Sequence, residues 1–303
     1  MPYFSVVIPT YNRSEFIVNC LQSVLKQSFT DFEIIVIDDG STDNTKELIE
    51  KLTEKEQRIR YFFISNSERG FARNFGWKKA TGKYIVFLDS DDQFLASHLS
   101  HLHQLTEEFP NINLFATKND FIDGEVVFRS AMHKLEKRKY SYNLFLKGNP
   151  FASNICVKNN SPVSLVPFLE DRKYSGMEDW IFLFTNTWIQ DIYHSDKTTV
   201  RMSEHPNRSM RFNKEIIEKR KSASAYIKSS FSLSHADKRK LKGYTNYFCA
   251  IHYYLDNKKI ESFNELLKAI FKIGFKKEIF SLQAKLILGK KLSGTLKKWI
   301  ANS

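Results

Sequence analysis

The chain has 303 residues, 42% of them apolar and 14% aromatic, enough for one α/β domain with a smaller appendage and for a sizeable core. Three widely spaced cysteines, Cys20, Cys156 and Cys249, exclude a disulfide framework and have no metal-binding spacing, so they read as buried thiols in a reducing compartment. The net charge of +12 is lopsided: residues 1–213 carry 26 Lys+Arg against 27 Asp+Glu, while residues 214–303 carry 20 against 7, which places a boundary near residue 213 and confines the basic character to the tail.

In chain order, Phe4–Ile8 reads as a strand closed by Pro9-Thr10-Tyr11-Asn12-Arg13. Ser14 is positioned to cap a helix with Ile17, Cys20, Leu21, Val24 and Leu25 on its apolar face. Glu33–Ile37 is a second strand, followed by Asp38-Asp39-Gly40-Ser41-Thr42-Asp43 and a helix marked by Leu48, Ile49 and Leu52. Tyr61–Ile64 is a third strand, Gly70–Gly82 a short helix, and Tyr84–Leu88 a fourth strand. Strands alternating with helices at this spacing imply βαβ units and a mostly parallel central sheet. The polar clusters all follow strands, so they converge on the edge where open α/β sheets bind ligands.

The run Tyr84–Leu88 leads directly into Asp89-Ser90-Asp91-Asp92. Three acids so close repel one another, and a divalent cation such as Mg²⁺ or Mn²⁺, which prefers carboxylate oxygen, would relieve that repulsion. The plainer reading is a polar turn with Asp92 or Ser97 capping the next helix, Leu99–Phe109. Past Asp92 the pattern loosens. It gives a strand at Leu114–Thr117, a hairpin over Phe121–Phe128 turning at Asp123-Gly124, and an irregular basic stretch over 131–148. A strand at Ser153–Val157, an apolar helix from Gly176-Met177-Glu178-Asp179-Trp180 to Ile189, and a strand at Thr198–Met202 complete it. There is no G-x-G-x-x-G and no G-x-x-x-x-G-K-[ST], so neither a Rossmann dinucleotide site nor a P-loop is supported.

The segments VVIPTYNR (6–13), IDDGSTD (37–43), GFARNFG (70–76), ATGKYIVFLDSDD (80–92) and GMEDW (176–180), in this order and spacing, resemble the family 2 glycosyltransferases. The resemblance covers roughly residues 3–212 and implies the GT-A fold, α/β with a central sheet flanked by helices. It divides the catalytic domain, 1–213, into a nucleotide-sugar-binding half (1–92) and an acceptor-binding half (93–213), with a helical extension over 214–303. It implies that Pro9, Thr10 and Tyr11 lie at the base of a nucleotide sugar, UDP-linked by preference, and that Asp39 accepts from the uracil N–H. Arg73 would lie near the diphosphate, Asp89 would reach ribose or metal, and Asp91 would bind Mn²⁺ or Mg²⁺. Asp179 of the Glu178-Asp179 pair would be the general base of an inverting transfer, and His205 a third metal ligand. Glu178-Asp179 also suits the N-terminal dipole of a helix. The Q-x-x-R-W motif of processive relatives is missing, so addition of one sugar to a glycan or lipid-linked acceptor is expected, in cell-surface polysaccharide or glycolipid synthesis. The competing readings are a non-catalytic nucleotide-sugar binder or scaffold, and a pyrophosphorylase-like nucleotidyltransferase. Phe151, Tyr174 and Trp180 read as core before they read as sugar platforms.

In the tail, Phe263, Leu266, Leu267, Ile270 and Phe271 have the spacing of one helical face. Leu292, Leu296, Trp299 and Ile300 are interleaved with lysines; the tail reads either as a helical hairpin packed on the catalytic domain with a solvated lysine face or as a peripheral membrane contact, and both hold if 243–271 packs inward and 285–303 faces the bilayer. No nucleic-acid partner is expected. Met1–Thr10 has no basic start and too short an apolar run for a leader, and no uncharged apolar run approaches about 18 residues. The expected site of action is cytoplasmic, at most peripheral on the inner membrane face.

Overall fold

The computed structural model describes residues 1–152, 154–160, 164–205, 208 and 213–286. The chain divides into two compact units, Met1–Phe145 with Asn149–Pro206, and Leu146–Gly148 with Asn207–Ser303.

The first unit begins β1 (Phe4–Thr10), α1 (Ile17–Leu25), β2 (Phe32–Asp38), α2 (Thr45–Thr53), β3 (Ile59–Phe63), α3 (Glu68–Lys79) and β4 (Tyr84–Phe87). It continues β5 (Gln93–Phe94), α4 (His98–Glu108), β6 (Leu114–Asp123), β7 (Val126–Arg129), β8 (Arg138–Tyr140), α5 (Tyr142–Phe145), β9 (Ile155–Lys158), α6 (Glu178–Ile189) and β10 (Ile192–Ser203). Among the described residues ten strands join one sheet, in the order β3-β2-β1-β4-β9-β6-β10-β5, with β7 on β6 and β8 on β10. The first four strands pair in parallel, and the all-buried runs of β1, β2 and β4 follow from helices covering both faces, while β3, at the sheet's edge, is buried only at Ile59. Beyond β4 the sheet is mixed: β9 runs antiparallel to β4 and β6, while β10 runs parallel to β6.

One face carries Val6, Ile8, Ile34, Val36, Val86 and Leu88 against Ile17, Leu21 and Val24 of α1 and Leu99 and Leu102 of α4. On the other, α3 approaches closely because Gly76 has no Cβ; one built there would collide with the Val7 side chain of β1. The helix expected to be capped by Ser14 begins at Ile17. The Arg13 carbonyl accepts from the Phe16 and Ile17 N–H groups, and the Ser14 N–H donates to Asp43. The hairpin turns at Asp123-Gly124 as read, with Gly124 at φ 59°.

The second unit holds α7 (Asn213–Ser230), α8 (His235–Leu255), α9 (Lys259–Ile273) and helical residues 277–286. Ser234 caps α8, its hydroxyl accepting from the Asp237 N–H. α8 and α9 approach through Gly243, where a Cβ would meet Ile273. Leu266 and Ala269 are buried with Ala250, Ile279 and Leu282. The inward face expected for this segment is therefore corrected. Leu266 and Ile270 pack inward, but Phe263, Leu267 and Phe271 point to solvent, because Ala269 and Ile273 fit the close approach to α8. The contact expected through 285–303 lies outside the described residues beyond Leu286. Among the described residues no helix is long and apolar enough to cross a membrane.

Candidate active site

The parallel half of the sheet brings the loops after β1, β2 and β4 to one edge. Pro9 and Thr10 are the last residues of β1, opposite Ile37 and Asp38. Both are buried, and the Thr10 Oγ1 finds no hydrogen-bond partner among the described residues. Tyr11, the next residue, is 45% exposed. Asn12 takes a left-handed conformation, φ 50°, and ties the first two loops together: its Oδ1 accepts from the Thr42 N–H at 2.8 Å, and its own N–H donates to Ser41 Oγ. Asp39 is buried, and its carboxylate accepts from the Ser67 and Glu68 N–H groups at 2.7 and 2.9 Å, fixing the start of α3. Burial pushes its carboxyl up, and the two N–H bonds offset this only in part.

α3 carries Arg73 into the interior, 1% exposed. One arm of its guanidinium donates to Glu178 Oε1 at 2.6 Å and the other to Asp89 Oδ1 at 2.8 Å, with the plane 5.4 Å from the Phe168 ring centre. Burial works against the charge, but Asp89 and Glu178 outweigh it and hold Arg73 cationic. Both forks are thus engaged by carboxylates. The cations that reach Asp91 are Arg13, its Nε 3.7 Å from Oδ2, and Arg69 on the first turn of α3.

The loop after β4 gathers three carboxylates: one oxygen from each of Asp89, Asp91 and Asp92 lies within 4.8 Å of the others. His205, just past β10, sets Nε2 2.9 Å from Asp91 Oδ2, and its Nδ1 is buried with no partner among the described residues. Burial works to raise Asp91, but His205, Arg13 and Arg69 together hold it below the ordinary carboxylate value. Asp92 accepts from the Ser203 N–H at 3.1 Å, joining the loop to the end of β10. Hard carboxylate oxygens with one imidazole suit Mg²⁺ or Mn²⁺, and the convergence of three acids is the charge that such an ion would balance. Asp89, Asp91 and Asp92 thus fit a divalent cation, with His205 held beside the group by Asp91.

On the first turn of α6, Glu178 is buried against Arg73, and its other oxygen accepts from the Gly176 N–H, where φ is 82°. Asp179 accepts at Oδ1 from the Trp180 N–H at 2.6 Å and at Oδ2 from the Asn149 amide at 2.8 Å. Burial first, and the Glu178 charge second, push the Asp179 carboxyl up to about 7, with Arg73 pulling the other way. A carboxyl poised there can take a proton near neutrality.

The structure therefore joins Asp89, Arg73, Glu178 and Asp179 in one chain of contacts, and Asp91 with His205 and Arg13 in another. Phe151, Tyr174 and Trp180 are core side chains. Sequence reasoning missed Asn149, whose amide also donates to the Ala152 carbonyl and accepts from the Phe151 N–H, so it holds Asp179 from a rigid turn. An Asn before Pro150 reads only as a turn. It missed Arg69 as well, the residue just before the predicted segment opens.

Comparisons with known proteins bear on the family and the fold. The profile of Glycosyl transferase family 2 matches residues 5–158. An uncharacterized glycosyltransferase of Rickettsia bellii is 41% identical over 143 residues, 47% of this chain and 20% of that one. The GalNAc(5)-diNAcBac-PP-undecaprenol beta-1,3-glucosyltransferase of Campylobacter jejuni is 40% identical over 110 residues, 36% of each chain. The chain spans about a fifth of the length of the Rickettsia relatives it matches. Among solved structures, S. aureus TarS 1–349 in complex with UDP-GlcNAc superposes with TM-score 0.58 at 21% identity, over 95% of this chain and 92% of that one. Mannosyltransferase PcManGT from Pyrobaculum calidifontis, in complex with GDP-Man and Mn²⁺, gives 0.57 at 16% identity, over 98% and 83%. At these identities the likeness shows the fold, GT-A. With half of its residues matched by that profile, the chain belongs to glycosyl transferase family 2.

Proposed function

We propose that the protein transfers one sugar, with inversion, from a nucleoside diphosphate donor, UDP-linked by preference, to a hydroxyl of a glycan or lipid-linked acceptor in cell-surface polysaccharide or glycolipid synthesis. The observation that carries this reading is Arg73, which binds Asp89 of the carboxylate loop and Glu178 beside Asp179 with the same guanidinium. Donor-binding acids and a candidate base are thereby held in one rigid frame. The reading draws further support from TarS bound to UDP-GlcNAc, PcManGT bound to GDP-Man and Mn²⁺, and the undecaprenol carrier in the Campylobacter relative's name.

Tyr11 offers an exposed ring to a flat base at the sheet edge. Asp89, Asp91 and His205 would hold the divalent cation, which supplies compensation for charge developing on the leaving diphosphate. Arg13 and Arg69 add positive charge beside Asp91. As the acceptor oxygen attacks C1, its proton passes to the Asp179 carboxylate, the C1–O bond breaks, and the nucleoside diphosphate leaves with the bonding pair. One base and in-line attack turn an α-linked donor into a β-linked product. Action on a lipid-linked acceptor places the protein at the inner membrane face.

The test is a screen of UDP- and GDP-sugars for binding and slow donor hydrolysis with Mn²⁺, with Mg²⁺ and with chelator. Metal-dependent release of one nucleoside diphosphate is expected. Binding without turnover toward any offered acceptor would favour the non-catalytic reading, and no binding at all would overturn the proposal.

A further inference from the structure

α9 is apolar on two faces, and α8 covers only one of them. Leu266, Ala269, Ile270 and Ile273 pack against Ala250, Ile251 and Tyr254. Ile260, Phe263, Leu267 and Phe271 form a second stripe, at 77, 41, 36 and 76% exposure. Phe275 and Phe280, also exposed, continue the apolar run along the chain. Single exposed apolar side chains are ordinary, but a row of four on one helix face marks an interaction surface. At 100° per residue the stripe spans one side of the helix, with Lys259 on one flank and, on the other, Lys272, Lys268 paired to Glu265 at 2.7 Å, and the exposed Glu261.

We infer that this stripe is a membrane contact, with α9 lying in the headgroup boundary of an anionic bilayer, phenylalanines inserted and flanking lysines at the phosphates. Charge selects the occupant. Residues 214–303 carry 20 Lys+Arg against 7 Asp+Glu, so a second copy laid on the stripe would meet its own excess of positive charge. The segment 287–303 carries Lys290, Lys291, Lys297 and Lys298 and no acid, so its sequence offers the lysine borders no complementary charge. An anionic lipid surface satisfies both the apolar row and its lysine borders. Long lysine stems lie along apolar surface while their heads stay in the polar layer. The inference stands apart from the transfer reaction, and it assigns the contact to α9 rather than to the extreme C-terminus.

Co-sedimentation of the full chain with phosphatidylglycerol-containing vesicles and with pure phosphatidylcholine vesicles tests it. Three variant chains are compared: Phe263→Ser with Leu267→Ser and Phe271→Ser; Lys259→Gln with Lys268→Gln and Lys272→Gln; and Leu292→Ser with Trp299→Ser. The unaltered chain should bind only the anionic vesicles, more weakly at high salt. The first variant should lose at least about tenfold in partitioning, with an unchanged melting curve because these side chains are exposed. The lysine variant should lose about fivefold for each charge that reaches the surface. Three results would overturn the inference: no binding to anionic vesicles; binding lost in the Leu292/Trp299 variant but kept in the first; or a dimer in sedimentation velocity that the first variant dissolves while vesicles are ignored.

Discussion

In the first unit Arg73 is enclosed between Asp89 and Glu178, at 2.8 and 2.6 Å, and every acid of the carboxylate loop has a partner within the chain. In the second unit Lys259 and Lys277 stand in solvent, and so do Phe271 and Phe275. The site resolves its charges internally; the outer side of α9 and the chain just after it present charge and apolar surface together, although Lys219, Lys221, Lys240, Lys258 and Lys268 of the same unit are paired with acids. Buried ion pairs add little net stability, since desolvation offsets attraction, but they are costly to break. Their use here is geometric: a paired guanidinium fixes where two carboxylates point. Exposed lysines and phenylalanines fix nothing within the chain and act only through what approaches them.

The strongest way to break this contrast is at Asp179. Asp179→Asn keeps the size and can still accept from one of its two donors, Asn149 or Trp180, but cannot take a proton. Transfer should fall about 10²–10⁴-fold while donor binding, by calorimetry, stays close to that of the unaltered protein. A near-normal rate would move the base elsewhere, with Glu178 the first suspect. The same assignment fixes a pH profile. A carboxyl raised to about 7 is protonated below that value and inert as a base, so kcat should rise through neutrality and level above it. Glu178→Gln removes a charge that raises Asp179, so the rising limb should move to lower pH. A limb that stays in place would separate the two residues electrostatically.

Next comes Arg73. Arg73→Met leaves Asp89 and Glu178 without their shared partner, Glu178 fully buried. A loss of about 3–5 kcal/mol by urea unfolding at neutral pH is expected. Lys46→Met, which breaks the half-exposed Lys46–Glu50 pair, should change stability by less than about 0.5 kcal/mol. Equal losses would erase the distinction between buried and surface charge. Asp91→Ala is smaller in its structural effect and sharper in its chemical one. On the proposed role of Asp91 within the Asp89, Asp91 and Asp92 group, UDP should bind this variant equally with Mn²⁺ and with chelator, removing a gain of about tenfold or more.

The parts of this arrangement that sequence reveals are those where one physical rule acts alone. β1, β2 and β4 are buried on both faces, so their apolar runs mark them nearly to the residue. β10 was legible only over Thr198–Met202 although it spans Ile192–Ser203, because its register shifts between His194 and Thr198 and the polar Ser195-Asp196-Lys197 sit in that irregularity. β6 runs on to Asp123 through polar residues because its far end pairs with β7 at the sheet's margin, where one face is wet. At the site, the acidic loop and Glu178-Asp179 stand out by residue type. The pairing of Arg73 to both does not, since Glu178 is 105 residues away. Asn149 and Ala152 likewise acquire meaning only when the chain returns past Asp179.

The smallest expected effect lies on α9, where a null result carries the information. Leu266 and Phe271 are five positions apart and both apolar, and periodicity assigns them to one face. The structure separates them: Leu266 is enclosed with Ala250 and Leu282, and Phe271 projects outward. Leu266→Ala should cost about 2–5 kcal/mol, the transfer energy of the lost methyl groups plus an unfilled cavity between α8 and α9. Phe271→Ser should shift the unfolding midpoint by less than about 0.5 kcal/mol, because little surface is removed from water around it. The variant could even gain slightly, since an exposed ring is replaced by a group that water solvates. If Phe271→Ser instead costs as much as Leu266→Ala, the ring is covered within the chain, and the outward apolar row on this helix is an inward one.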